Sequence, residues 1–580
     1  MINYVKGESK LKENELLFLL KKVSWPIKLI FIASLIAIIG SLVGLIIPIF
    51  IGQIVDMFYK EGFNSKIVMT VISIFIVNGL LVGAGSYLMM IVGEKVILEL
   101  RKIIWENTLY LKMNFFDKNE SGQLMSRLTD DTKIINEFIS QKLPSSLPSI
   151  ITLIGSFTML IILDWRLTLV TLLTIPIFFA IMIPIGKFIE KISKETQTEV
   201  SKFSGNLGRV LINIKLVKIS NNEKIELKKT NNNLINIYNL GVRQAKIFSI
   251  IQPVYSLLVS LTITLVLGFG GIRIAAGAIT SGTLVAMVFY VFQMSEPLIN
   301  LSSLIADYKK SLGASIRIYE IMNEEKEDIE KGKCELNTGD LEFKNVNFGY
   351  LDDNILNNLN FKLPQNSITA FVGPSGGGKS TIFDIIARLY EIEDGEVLYN
   401  SKKISEIPIG LWRSSIGYVT QTNEIMSGTI KENILYGNKQ KTSEVEIRNV
   451  LKEVGLDAFI NSLEKGINTE IGERGVKLSG GQKQKIAIAR NLLKKPNLFL
   501  LDEATASLDS ESEAIIQEAI NKTSKNSTVL VIAHRLSTVL DASQIIFIDS
   551  GTVTGMGTHR DLLKSHAKYQ KFIKEQSIIR

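Results

Sequence analysis

Thr369-Ala370-Phe371-Val372 runs into Gly373-Pro374-Ser375-Gly376-Gly377-Gly378-Lys379-Ser380-Thr381, and a helical pattern follows. The four leading residues read as a buried strand, so the glycine-rich stretch stands between a strand and a helix. That is the setting a P-loop requires. Glycines let backbone N–H groups turn inward around phosphate oxygens, and the helix N-terminus adds a partial positive charge. In this reading Lys379 reaches the β- and γ-phosphates of a nucleotide and the Ser380 hydroxyl ligates Mg²⁺.

Downstream, Leu498-Phe499-Leu500-Leu501 reads as a core strand that projects Asp502 and Glu503 from its end. Asp502 is expected to hold Mg²⁺, and Glu503 to polarise an attacking water as general base. An apolar-Asp-Glu string says little by itself; behind a P-loop it says much more. Between the two lies Leu478-Ser479-Gly480-Gly481-Gln482, opening a basic helix with Lys483, Lys485 and Arg490. A Ser-Gly-Gly turn at a helix N-terminus is a second anion site. One P-loop needs only one phosphate cradle, so the second makes sense if it closes on the nucleotide of another copy.

With these three motifs in order, the chain resembles the ATP-binding cassette (ABC) transporters, and within them half-transporters of the exporter type. The resemblance covers essentially the whole chain. It implies that Ser479, Gly480, Gly481 and Gln482 are the signature motif, facing the P-loop of a partner. Gln421, in Val419-Thr420-Gln421, matches the Q-loop that senses Mg²⁺ and water. Asp509, in Ala506-Ser507-Leu508-Asp509, matches the D-loop. His534, in Ala533-His534-Arg535, matches the switch histidine at the γ-phosphate, and Tyr350 the aromatic that stacks on adenine. Glu470-Ile471-Gly472-Glu473-Arg474-Gly475 resembles the exporter segment before the signature. Two departures stand out: Lys483 and Lys485 replace common arginines, and Ala506-Ser507 inverts a common Ser-Ala, which puts the D-loop hydrogen bonds in doubt.

Upstream, the chain changes character. Leu29–Val55, Ile67–Gly93, Leu143–Leu163, Leu167–Gly186, Ile247–Ile272 and Ile274–Ser295 are six stretches long enough to cross a bilayer, which needs about 20 apolar residues. The soluble alternative, a set of buried core helices, predicts shorter elements with a polar face. The connections Asp56–Lys66, Asp164–Arg166 and the turn at Arg273 are short. Glu94–Lys142 and Lys187–Lys246 are long and basic, so the positive-inside rule places them, and both termini, in the cytoplasm. Their apolar residues keep helical spacing, so they read as membrane helices continuing beyond the bilayer. Each is broken once, near Phe115–Gly122 and near Lys218–Glu223, as expected of short transverse helices that press on another domain. An ordinary loop tip is the alternative.

The fold class expected is therefore an all-α six-helix transmembrane domain joined to an α/β P-loop ATPase. The organisation expected is an amphipathic segment over 1–25, the membrane domain over 26–322, a charged linker over 323–338, and the nucleotide-binding domain over 339–580. Residues Met1 to Trp25 lack the features of a cleavable signal. The single cysteine, Cys334, excludes an intrachain disulfide, and three histidines make a His-ligated metal centre unattractive. A net charge of +8 raises nucleic acid, but no basic stripe with interleaved aromatics appears, and basic loops beside apolar spans account for it. No nucleic-acid partner is expected.

What the resemblance implies is ATP- and Mg²⁺-dependent export from the plasma membrane by a homodimer. No catalytic position is degenerate, as two competent shared sites would require. Outward loops are too short to dock a capture protein. Similarity to homodimeric multidrug exporters of Gram-positive bacteria, including Phe115-Phe116-Asp117 and Gly282–Ala286, favours small amphiphilic cargo. A lipid flippase shares every motif, and a non-transporting ATP-gated regulator is the alternative of another class. A leader-cleaving peptide exporter is disfavoured, because no peptidase domain is recognised before the first span. Glu296, ahead of Pro297, stands either at the interface or against cargo, as an intramembrane acid would. Phe289, Tyr290, Phe292 and Met294 are candidates to line an apolar pocket or to face lipid.

Overall fold

The computed structural model describes residues 15–60, 62, 65–119, 121–172, 174–328, 336–350, 353–438, 442–505, 508–533 and 539–578. The chain forms two compact units. One combines 1–106 with 122–323; the other combines 107–121 with 324–580.

The first unit is helical, because its apolar runs can satisfy their backbone polar groups only internally once out of water. Its long helices are α1 (Ile27–Lys60), α2 (Ser65–Leu109), α4 (Leu143–Leu172), α5 (Thr174–Ile212), α7 (Glu223–Ala275) and α8 (Ser281–Asn323). Two six-residue helices, α3 (Met113–Lys118) and α6 (Ile214–Ile219), stand at the two expected breaks. Among the described residues, five helical stretches are long and apolar enough to cross a membrane. The fourth expected span, Leu167–Gly186, follows the break at Asp164, where the backbone leaves helical angles; it takes in Leu167–Leu172 and the start of α5, with residue 173 outside the described residues.

Close packing and a few polar contacts set the helix register. Helix α8 packs against α1 and α4, and α7 against α5. A Cβ on Gly282 would lie 2.0 Å from the Gly52 carbonyl oxygen, so this crossing of α1 and α8 admits only glycine. Pro48 lacks an N–H and so leaves the Gly44 carbonyl without its helical donor. Gln293 Nε2 supplies one at 3.1 Å, and Tyr290 donates to the adjacent Leu45 carbonyl at 2.5 Å. The three short connections meet at one end. Asp56 accepts from the Gly282 N–H at 2.7 Å and from Thr280 at 2.6 Å. Asp164 leaves helical geometry, with φ −159° and ψ 107°, caps Leu167 and pairs with Arg273 at 2.7 Å.

The second unit is α/β, as its alternating strand and helix patterns predict. Strands β1 (Leu341–Tyr350), β2 (Asp353–Leu363), β4 (Asp394–Tyr399) and β5 (Lys402–Lys403) form an antiparallel sheet in the order β2-β1-β4-β5. The larger sheet runs β10-β9-β3-β8-β7-β6. It uses β3 (Ile368–Val372), β6 (Ile416–Val419), β7 (Leu498–Asp502), β8 (Thr528–Ile532), β9 (Gln544–Asp549) and the edge strand β10 (Thr552–Gly557). All its pairings are parallel except that of β10 with β9. Strands β3, β7 and β8 are buried at every position, which is why they read as unbroken apolar runs. A parallel sheet gathers the carboxyl ends of its strands along one edge. The segments following β3, β6, β7 and β8 carry Lys379, Gln421, Glu503 and His534, respectively. Lys379, Gln421 and Glu503, far apart in sequence, thus share the edge where α/β sheets bind ligands, while His534 lies outside the described residues.

Candidate nucleotide-binding site

The loop after β3 is shaped by positive backbone angles. Gly373 has φ +146°, Gly376 +77° and Gly378 +93°. At Gly373 a Cβ would lie 1.9 Å from the Ile548 carbonyl oxygen, and at Gly378 2.6 Å from Leu356 Cδ2. Both positions therefore need glycine for space as well as for angle. Gly377 N–H turns back to the Pro374 carbonyl at 3.2 Å, while Pro374 and Ser375 stand exposed on the crown. Gly378 caps α9 (Lys379–Ile386). Lys379 is only 6% exposed and folds back over the loop, donating to the Gly373 and Pro374 carbonyls at 3.0 and 2.8 Å. Burial draws its pKa below the ordinary lysine value, against the attraction of Glu503 and Asp502. Ser380 is exposed on the first helical turn and Thr381 is buried. A glycine cradle, a desolvated ammonium group and an exposed hydroxyl at a helix start fit a polyphosphate with its metal ion.

The acidic side lies at the end of β7. Asp502 is buried, and Glu503 follows with φ +50°, a conformation that costs a non-glycine residue roughly 1–2 kcal/mol. Two side chains hold that residue. Gln421 Nε2 donates to its carboxylate at 3.1 Å, and Gln484 Nε2 to its carbonyl at 3.2 Å. Gln484, 1% exposed, belongs to α10 (Gly480–Leu493), the helix opened by the signature. Lys379, Asp502, Glu503 and Gln421 therefore converge. His534, Ala506 and Ser507 lie outside the described residues.

The signature itself is a capping box. Ser479 Oγ accepts from the Gln482 N–H at 3.3 Å, and Gln482 Oε1 accepts from the Ser479 N–H at 2.9 Å. The Ser-x-x-Gln spacing carried that information in the sequence. Those two side chains satisfy each other, so Gly480 and Gly481 present bare backbone at the helix start. Among the described residues no hydrogen bond joins Ser479–Gln482 to Gly373–Thr381. Asp509 is exposed at the N-cap of α11 (Ser510–Thr523), and hydrogen bonding to Ser512 draws its pKa down. Lys483 and Lys485 donate to the Arg474 and Gly455 carbonyls, at 2.9 and 3.2 Å.

Tyr350 is half-buried beside α9, within hydrogen-bonding reach of Thr381 and Asp384. Its ring meets Tyr390 edge-on at 4.9 Å, and burial raises its pKa. Sequence reasoning overlooked three neighbours of this group: Asp384, Tyr418 and Gln484. The one available signal for Asp384 was a lone acid in the apolar run Ile382-Phe383-Asp384-Ile385-Ile386.

The segment carrying α3 belongs to this same unit. Leu111 forms a β-bridge with Lys326, and the Glu327 N–H donates to the Tyr110 carbonyl at 2.7 Å. Lys112 reaches Glu325 and Glu391 at 2.8 and 3.2 Å, and Arg413 grips Glu327 with two bonds of 2.6 and 2.7 Å. Tyr390 donates to Asp117 at 2.8 Å. The start of the expected linker is therefore an ordered strap. A cleft of about 1280 Å³ lies here, lined by Lys112, Asp117, Tyr350, Arg388, Tyr390 and Glu391 among others. In the helical unit, Glu296 is exposed, Phe289 and Phe292 are exposed, and Tyr290 is core.

Comparison with known proteins gives a consistent result. The model of the ABC transporter transmembrane region matches residues 30–298, and the ABC transporter model matches residues 356–506. The chain is 37% identical over 580 residues to a multidrug resistance ABC transporter ATP-binding and permease protein of Lactococcus lactis, covering 99% of this chain and 98% of the relative. It is 32% identical to the ATP-dependent lipid A-core flippase of Escherichia coli, over 88% of each. A solved bacterial Atm1-family ABC exporter with ATP bound aligns with a TM-score of 0.81 and 26% identity, covering 95% of this chain and 98% of that one.

Proposed function

Because this chain belongs to the ABC transporter family, as an exporter-type multi-pass half-transporter with a nucleotide-binding ABC domain, we propose that two copies hydrolyse ATP at shared sites. The closure they undergo exports small amphiphilic compounds across the plasma membrane. The carrying observation is the convergence of Lys379, Asp502, Glu503 and Gln421 on one sheet edge, while among the described residues the Ser479–Gln482 turn forms no hydrogen bond to the P-loop of its own chain. A second copy is the partner that would complete the site, and the lipid bilayer surrounds the helical unit.

The roles follow from the chemistry of each group. Lys379 binds the β- and γ-phosphates, and Gly373–Thr381 cradle them with backbone N–H groups. Tyr350 stacks on the base. Ser380, Gln421 and Asp502 would hold Mg²⁺, which when bound neutralises charge on the phosphate oxygens. Glu503 takes the proton of the attacking water, and its strained backbone keeps that carboxylate aimed. His534 contacts the γ-phosphate, and Gly480, Gly481 and Asp509 serve the site of the partner. ATP closes the pair, the transverse helices pass that motion to the membrane helices, and hydrolysis resets it. The positive-inside rule places both termini in the cytoplasm.

Drug-like cargo is preferred because a relative matched over nearly the whole of both chains is a multidrug resistance transporter. The flippase relative keeps a lipid reading alive. ATPase stimulation in reconstituted vesicles, screened across drugs, lipids and peptides, separates the two. Stimulation by one lipid with none by drugs would replace the first reading with the second. Glu503→Gln should lower turnover by about 10²- to 10⁴-fold while ATP binding stays intact. Turnover at the unmutated rate would remove Glu503 from the base role.

A further inference from the structure

Asp384 sits in the middle of α9, between the buried Phe383 and Ile385. The nucleotide chemistry above makes no use of it. Its Oδ1 accepts the Tyr418 hydroxyl at 3.1 Å, and the Tyr350 hydroxyl lies within hydrogen-bonding reach. Tyr418 is on β6, and its main chain is clamped on both sides by one side chain. Its N–H donates to Asn491 Oδ1 at 3.0 Å, and its carbonyl accepts from Asn491 Nδ2 at 3.2 Å. Asn491 belongs to α10, the signature helix. Three residues beyond Tyr418 stands Gln421, which holds Glu503.

One carboxyl therefore ties the P-loop helix to the strand that leads to Gln421, with the Tyr350 hydroxyl close beside it. The carboxyl is half-buried, and the Tyr418 phenol satisfies one of its oxygens. We propose that Asp384 is a positioning residue of the nucleotide site. It fixes the Tyr350 ring as the face for the base, and it keeps the Gln421 strand in register with the P-loop helix. It touches no substrate atom. The inference rests on Tyr350 stacking against the base.

The groups facing Asp384 are the phenols of Tyr350 and Tyr418 and the carboxylates of Asp502 on β7 and Asp117 on α3. Burial pushes its acid up to about 6, against the Tyr418 hydrogen bond. Above that pH it is an anion able to accept from both phenols. Below it, one carboxyl oxygen becomes a donor and the grip on the two rings loosens. ATP affinity should therefore weaken as pH falls through about 6.

The test uses the full chain in nanodiscs, with equilibrium binding of Mg-ATP and Mg-GTP read beside steady-state ATPase kinetics. Asp384→Leu should raise the Kd and KM for ATP about 2- to 13-fold, the equivalent of one ordinary hydrogen bond. The kcat should move far less, and the preference for ATP over GTP should shrink. Asp384→Asn keeps an acceptor without the charge, so it should flatten the acid limb of binding between pH 5 and 7. Tyr418→Phe should reproduce part of the KM change. Binding within twofold of the unmutated chain for Asp384→Leu, with base preference unchanged, would overturn the proposal. If Asp384→Leu does not fold, an acid limb retained in Asp384→Asn overturns it. Binding is read separately from turnover, so an unmutated chain that binds ATP without hydrolysing it would refute the ATPase reading and leave this test standing.

Discussion

The two short transverse helices, α3 and α6, have the same length and opposite surroundings. In α3, Met113–Lys118, Phe115 is 8% exposed and meets Phe116 edge-on, and Asp117 accepts from Tyr390. In α6, Ile214–Ile219, no residue is buried: Leu216 is 63% exposed, Ile219 85%, and Ile212 just before it 84%. A contiguous apolar surface left in water marks an interaction site. The first transverse helix is thus packed within the nucleotide-binding unit, and the second is exposed on the helical unit. On the proposed reading of the functional particle as a pair, the second copy is the candidate cover for α6.

The comparison can be broken in order of expected effect. Leu216→Asp with Ile219→Asp puts charges on the bare surface. Cargo-stimulated ATPase should fall about tenfold or more, since 1.4 kcal/mol of lost coupling is already a factor of ten. ATP binding should be unchanged. Stimulation of normal size in reconstituted vesicles would show that α6 needs no cover. Phe115→Ala empties the covered side, at about 3 kcal/mol for a well-packed ring. Hydrogen exchange over residues 107–119 should then accelerate while the P-loop strand stays protected. Equal exchange in the two proteins would mean that Phe115 does not anchor the segment. Tyr390→Phe removes one hydrogen bond to Asp117, about 0.5–1.5 kcal/mol. It should raise exchange in the same segment by no more than about tenfold, and a larger change would make the tyrosine more than a local tether.

The same contrast explains what the sequence could and could not disclose. Local chemistry was legible. The strand–loop–helix around Lys379, the strand ending in Asp502, and the alternating pattern of the α/β unit all reflect short-range demands of backbone and burial, and the structure meets them. The breaks near Asn119 and Asn221 were legible too, as polar interruptions of helical spacing. What lay on each break was not, because covering α3 depends on residues 213 and more positions away, such as Glu325 and Tyr390. The hold on Glu503 was hidden for a similar reason. Its φ of +50° is imposed by Gln421 and Gln484, which come from a different strand and a different helix. Asp384 looked like an ordinary helix residue, since its two phenol neighbours are 34 positions away on either side. The break before the fourth membrane span was legible too, since Asp164 leaves helical angles within the expected Asp164–Arg166 connection. The capping box at Ser479, by contrast, was fully spelled by Ser-x-x-Gln and was simply read for its glycines.

The most direct test of the shared-site account uses two inactive variants together. Both copies carry Glu503→Gln so that bound ATP is retained. One copy also carries Lys379→Ala, and the other Ser479→Arg. They are co-expressed with different tags and purified through both. Each variant as a homodimer has no intact P-loop–signature pair, whereas the mixed dimer has one. The account predicts that neither homodimer retains ATP and that the mixed dimer retains about half of what the Glu503→Gln homodimer holds, one intact site of two. A mixed dimer that retains no more ATP than its parents, or a Ser479→Arg homodimer that retains ATP normally, would contradict it.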